Sequence, residues 1–130
     1  MDLMDLKPKT DVIEVILKHP STGDVLTNEN GNEMSVTVYA QYSKEYRAAM
    51  HEQQDRRLEK MQSKSSAKYG AADLERDSID LLCKITKEWD ITYGGETPKL
   101  TKAKEVYTEV FWLRNQVEEA LAESVDFITA

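Results

Sequence analysis

The stretch His51-Glu52-Gln53-Gln54-Asp55 half matches the helical signature of zinc proteases. In that signature two histidines four residues apart bind the metal, and a glutamate beside them activates its water. Here the second ligand position holds Asp55, the other histidine, His19, falls on a strand edge before Pro20, and no third ligand is apparent. The motif therefore reads as a solvated helix face, and no metal site is expected. Nucleophilic chemistry has no firmer footing. Ser78 and Cys83 fall mid-helix with no histidine near them in sequence. Cys83 sits in an apolar stripe, as a small buried hydrophobe does. Gly94-Gly95 lacks the glycine pattern and following lysine of a phosphate cradle. Arg56-Arg57 with Lys60 and Lys64 forms a short basic patch near Tyr46 and Tyr69, but the aromatics do not interleave with the bases as single-strand binding requires. No coenzyme fingerprint occurs. The expectation is a protein without catalysis, cofactor or nucleic acid, acting by binding other proteins.

The composition agrees. With 130 residues, 40% hydrophobic and 32% charged, the chain supports one domain with one modest core and long wet helical faces. Its net charge of −7 opposes a phosphate backbone. The charge is uneven: residues 1–41 carry 3 basic and 7 acidic groups, residues 42–70 carry 7 and 4, and residues 71–130 carry 7 and 13. Complementarity between the basic helix at 42–64 and the acidic region at 71–130 predicts self-association. The lone Cys83 excludes an internal disulfide. No stretch nears the ~20 apolar residues of a membrane span, and the acidic start predicts no export leader.

The elements that must position any binding surface are legible from periodicity. Residues 1–11 read as a flexible arm and 12–130 as one domain, a hairpin at 12–41 followed by a helical part at 42–130. Residues 12–19 alternate, with Ile13, Val15 and Leu17 inward, and residues 34–40 alternate again, with Met34, Val36, Val38 and Ala40 inward. Turns fall at 20–24 and at Asn30-Gly31. Ser43 is positioned to cap a helix running to about Lys64, with a thin stripe that includes Tyr46, Met50, Leu58 and Met61. Residues 62–66 read as a hinge. Residues 71–89 read as the core helix, through Leu74, Ile79, Leu81, Leu82, Ile85 and Trp89. Thr101 is expected to cap the last helical region. That region would span ~42 Å as one helix, so a break is expected near residues 109–112. The fold class is thus α+β, mainly helical, with an N-terminal two-stranded hairpin and about four helices.

Trp89 at a helix end, the turn Gly94-Gly95-Glu96-Thr97-Pro98, the cap at Thr101, Trp112-Leu113-Arg114-Asn115-Gln116-Val117 and the terminal Phe127-Ile128 follow in an order that resembles tail assembly chaperones of long-tailed, lambda-like bacteriophages with non-contractile tails. In the first half, the strand entering Pro20-Ser21-Thr22-Gly23, a second strand, and Ser43-Lys44-Glu45-Tyr46-Arg47 opening a charged helix agree. The resemblance covers about residues 12–128. It departs at Gly94, where an acid is expected, and at Leu100, where Phe is expected.

The resemblance implies a protein of the infected host's cytoplasm, absent from the mature virion. It would bind the tape measure protein, keep it soluble, and help recruit tail tube protein; many such proteins are also made in a longer frameshifted form, and self-association is implied. The alternative is a structural head–tail connector or tail-completion protein. For protein binding, Met50 and Met61 offer adaptable contacts, Arg56 and Arg57 offer charge, and Trp112 and Phe127 offer aromatic anchors. Leu113, Gln116 and Val117 accompany Trp112 in the matching segment.

Overall fold

The alternating segments form two antiparallel strands, β1 (Val12–Ile16) and β2 (Ser35–Tyr39), in register from Val12 opposite Tyr39 to Ile16 opposite Ser35. The computed structural model describes residues 2–6, 10–62 and 70–123. Ile13, Val15, Leu17, Val36, Val38 and Ala40 are buried on one face, as the alternation predicts, and Met34 is half-buried. The connector between the strands is bridged. Leu17 N–H donates to Met34 O (2.9 Å), Met34 N–H to Leu26 O (2.8 Å) and Leu26 N–H to Leu17 O (3.0 Å). Asn28 is its buried hub: its Oδ1 accepts from the N–H groups of Asn30 and Asn32, and its Nδ2 donates to Asp90 at 2.7 Å.

Helix α1 (Lys44–Gln62) begins where Ser43 Oγ accepts the Tyr46 N–H at 3.1 Å, so the expected cap is present. Only Ala49 and Gln53 are buried along it. Helix α2 (Ala71–Ile85) starts with Gly70 N–H donating to Asp73 Oδ2 and sends Ile79, Leu82 and Ile85 into the core. Leu74, expected in that stripe, is half exposed, while Asp73 and Asp77 of the same turns pair with α1.

The core helix does not reach Trp89. It ends at Ile85 and passes without a loop into a third strand, β3 (Thr86–Asp90), antiparallel to β2. The sheet order is β1-β2-β3, so the expected hairpin is two thirds of a three-stranded sheet. Lys87 is the extra residue at a bulge, since Thr37 pairs with Glu88 and Val38 with Thr86. Sequence periodicity missed this strand because Ile85 and Trp89 satisfy the i,i+4 rule, while Thr-Lys-Glu-Trp-Asp has little strand signal of its own; pairing with β2 decides the outcome. Trp89 packs on Tyr107 with ring centroids 6.2 Å apart and donates Nε1–H to Pro98 O at 2.8 Å.

The turn after β3 places Gly94 and Gly95 at φ 67° and 84°, closed by Tyr93 N–H to Glu96 O (2.8 Å). Two successive positive φ values suit glycine far better than the acid expected at Gly94. Leu100 opens a 3-10 turn (Leu100–Lys102) and is 41% exposed, so it is no core position. Thr101 lies inside that turn and does not cap; α3 (Ala103–Glu109) starts without a side-chain cap. The expected break falls at Val110 (φ −105°, ψ 76°), after which α4 (Phe111–Ala122) begins. Helices α2 and α4 cover one face of the sheet, with α3 between them and α1 packed on α2.

At the centre, Tyr107 is fully buried, and its hydroxyl lies 2.7 Å from Thr86 Oγ1, which donates to Leu82 O at 2.6 Å. With the Thr86 proton spent on Leu82, Tyr107 is the donor to Thr86. Burial pushes the Tyr107 phenol from 10.0 up to about 12. The unfolded chain releases this proton near pH 10 and the folded chain near 12. Stability from this group is therefore complete below pH 10 and falls as pH rises to 12, by up to about 2–3 kcal/mol. Urea denaturation at pH 8 and pH 11 checks this. Tyr107→Phe should cost about 1 kcal/mol at pH 8 and show a flatter alkaline decline than the parent.

Candidate protein-binding site

The break at Val110 lies on the wall of an apolar concavity. Val110 N–H closes α3 on Val106 O (2.9 Å), and Leu113 N–H opens α4 on Val110 O (3.1 Å). A β-branched residue followed by two aromatics gives helix propensity little hold here. The elbow leaves Phe111 62% exposed and brings Trp112, half-buried, to the wall of a cleft of about 280 Å³. Its floor is the buried set Leu17, Ile91, Val106 and Leu113; Leu26 and Met34 of the β1–β2 connector form the opposite wall. Tyr93 stands at the rim, its hydroxyl donating to Glu109. That bond, with the nearby charges of Glu109 and Glu105, holds the Tyr93 phenol above its usual value.

Trp112 and Leu113 thus share one site, Trp112 as an accessible wall and Leu113, 2% exposed, as floor. Val117 is fully buried and belongs to the core, because its helix face lies on the sheet. Gln116 is engaged within the chain: its Oε1 accepts Lys18 N–H at 3.0 Å and its Nε2 donates to Lys18 O at 2.7 Å. This amide occupies the strand edge as a neighbouring strand would. Phe111, Leu26, Met34 and Tyr93 were missed by sequence reasoning. Met34 was legible as an inward residue of the second alternating segment, though not as part of a site; Leu26 and Tyr93 carry no periodicity.

The basic helix residues lie elsewhere. Arg57 Nε meets Asp77 at 3.1 Å, Lys60 meets Asp73 at 3.1 Å, and Arg76 also reaches Asp73. Lys84 meets Glu52 at 2.8 Å, and Gln53 donates to Asp77 O. Part of the complementarity expected to join two copies is taken up within one chain, between α1 and α2. Arg56 and Arg57 line a polar cleft of about 290 Å³ together with Asp77 and Asp80. Met50 is half-buried and Met61 is 72% exposed. Phe127 lies outside the described residues, as do Ile128, Tyr69 and Lys64. Among the described residues no three His, Cys, Asp or Glu side chains are arranged to hold a metal, and no helix is long and apolar enough to cross a membrane.

Floor and rim should separate on mutation. Leu113→Ala is expected to lose about 2–5 kcal/mol of stability, and Phe111→Ser to stay within about 0.5 kcal/mol of the parent, both read from urea midpoints. Gln116→Leu, which strips Lys18 of both amide partners, should cost about 1–2 kcal/mol, with Gln116→Glu falling between it and the parent.

No family model matches the chain, and neither a curated protein nor a solved structure is significantly similar to it.

Proposed function

We propose that this chain is a tail assembly chaperone of a long-tailed bacteriophage. On this reading it binds the tape measure protein in the host cytoplasm, keeps it soluble, helps recruit tail tube protein, and leaves before the virion is complete. It does this without catalysis. The order of residues from Trp89 to Val117 supports the reading, and the observation that carries it furthest is the apolar cleft at the α3–α4 elbow, with the exposed Phe111 lying in sequence between its lining residues Val110 and Trp112. An exposed aromatic next to an apolar concavity is a surface made to receive apolar side chains of another protein. A binder without a nucleotide cycle works by mass action, covering client surface that would otherwise aggregate.

Co-expression with the neighbouring tape measure protein tests the proposal. The client should become soluble and co-purify with the chain, and Phe111→Ser should reduce the co-purified amount while the variant itself stays folded. A client that stays insoluble and alone with every length of the chaperone gene product would refute the reading. Detection of the chain in purified virions would favour a structural tail or connector protein instead.

A further inference from the structure

β1 is an edge of the sheet, and its outer side is only partly closed. In an antiparallel pair every second residue turns its N–H and C=O to the neighbouring strand, and the others turn theirs away. Ala40 N–H donates to Asp11 O at 2.8 Å and Leu17 N–H to Met34 O at 2.9 Å, so in this register Asp11, Ile13, Val15 and Leu17 bond β2 and its extensions. Val12, Glu14, Ile16 and Lys18 therefore turn their backbone groups outward. The two ends of this row are engaged. Val12 N–H donates to Thr10 Oγ1 at 3.3 Å, and the Gln116 amide holds Lys18 N–H at 3.0 Å and Lys18 O at 2.7 Å. Between them, among the described residues, nothing bonds the outward N–H and C=O of Glu14 and Ile16.

This open window is self-complementary. We propose that it pairs with the same window of a second copy of the chain, antiparallel about a two-fold axis at Val15, so that two three-stranded sheets become one. Glu14 then lies opposite the partner's Ile16, and Ile16 opposite the partner's Glu14. Each such pair exchanges both of its N–H···O bonds, so every open group on either strand is used. The neighbouring registers fail. A two-fold at Glu14 sets two carboxylates directly opposite each other, which is destabilising, and calls on the Val12 N–H that Thr10 holds. A two-fold at Ile16 calls on the Lys18 groups that Gln116 holds. The Val15 register also matches charge. Glu14 and Lys18 are exposed, and neither forms a salt bridge among the described residues of its own chain. Glu14 and the partner's Lys18 become diagonal neighbours on one face, ~7–8 Å apart and within reach of long side chains. One Glu14–Glu14 diagonal opposes two such Glu14–Lys18 diagonals. Gln116 ends the ladder on each side, so the contact is far smaller than the ~1,200 Å² of a standard interface, and pairing belongs to high protein concentration. It depends on the sheet edge and not on the client-docking reading.

Sedimentation equilibrium of the full chain up to millimolar concentration tests this, with amide hydrogen exchange followed by NMR at the lowest and highest concentrations. A monomer–dimer equilibrium is expected, and the Glu14 and Ile16 amides should exchange more slowly as dimer accumulates. Glu14→Pro removes a donor from each strand of the dimer and none from the β1–β2 ladder, because an edge strand tolerates proline where its N–H faces outward. It should weaken dimerisation about tenfold. Glu14→Lys probes the same contact without touching the backbone. It should also weaken dimerisation, and the exchange Glu14→Lys/Lys18→Glu should restore it, since two side chains ~13 Å apart along one strand do not pair within a chain. Both charge effects should shrink at high salt. A chain that stays monomeric at millimolar concentration overturns the proposal. So does a dimer whose Glu14 and Ile16 amides exchange at the monomer rate, or one that Glu14→Pro leaves unchanged. If the proline variant does not fold, failure of the charge exchange to restore pairing overturns it.

Discussion

The fold turns on a helix that becomes a strand with no residue between. At Thr86 the backbone leaves the helical region (φ −76°, ψ 110°) while its N–H and hydroxyl both still bond Leu82 O. This is a buried polar junction, and the Tyr107 hydroxyl completes it by donating to Thr86. An unmatched hydroxyl at such a depth would cost about 1–3 kcal/mol, so the position of α3, which carries Tyr107, is fixed by the position of the α2–β3 junction. The consequences run outward in sequence. β3 pairs with β2 and closes the sheet; Trp89 lies on Tyr107 and reaches Pro98; α3 then ends at Val110, over the connector that Asn28 ties to Asp90. The cleft is the gap left where these three constraints meet.

The other side of α2 is governed by different physics. Along 19 residues α1 buries only Ala49 and Gln53, and its attachment to α2 runs through Glu52–Lys84, Gln53–Asp77, Arg57–Asp77 and Lys60–Asp73. Partly exposed ion pairs contribute little, roughly 0–1 kcal/mol each, against the several kcal/mol that a comparable apolar seam would supply. The molecule is therefore graded: a firm α2–α3–α4 layer on the sheet, and an outer helix held by polar contacts that salt and acid weaken. Local opening free energies are expected to follow that gradient.

The same gradient explains what the sequence disclosed. Where burial alone selects residue types, the pattern was readable: Ile13-Val15-Leu17 and Val36-Val38-Ala40 as strand faces, and Ile79, Leu82 and Ile85 as the buried stripe of a core helix. Where pairing partners decide, it was not. Nothing in Thr86–Asp90 announces a strand until β2 lies beside it, and charges 13 to 20 residues apart in sequence, such as Lys60 with Asp73 and Arg57 with Asp77, read as an intermolecular attraction until the helices are seen to fold back on each other. The candidate site was half legible for the same reason. Trp112 stood out as an aromatic anchor in the resembling segment and Met34 as an inward residue of the second alternating segment, whereas Leu26 and Tyr93 reach the cleft through connectors whose course depends on Asn28 and on the Gly94-Gly95 turn.

On the proposed reading, the size of the cleft constrains how such a protein could hold a long client. Burying one large apolar side chain contributes about 1.5–3 kcal/mol, and covering Phe111 adds a similar amount. Association itself costs an estimated 4–15 kcal/mol in lost freedom, and a millimolar complex already requires about 4 kcal/mol net. A single contact of this kind is weak and short-lived. Keeping a long client soluble would then call for many copies acting together, each cleft adding a modest term while neighbouring copies raise one another's effective concentration. On that reading the need for several copies arises from the weakness of one cleft, and it holds even though three ion pairs between α1 and α2 form within each chain.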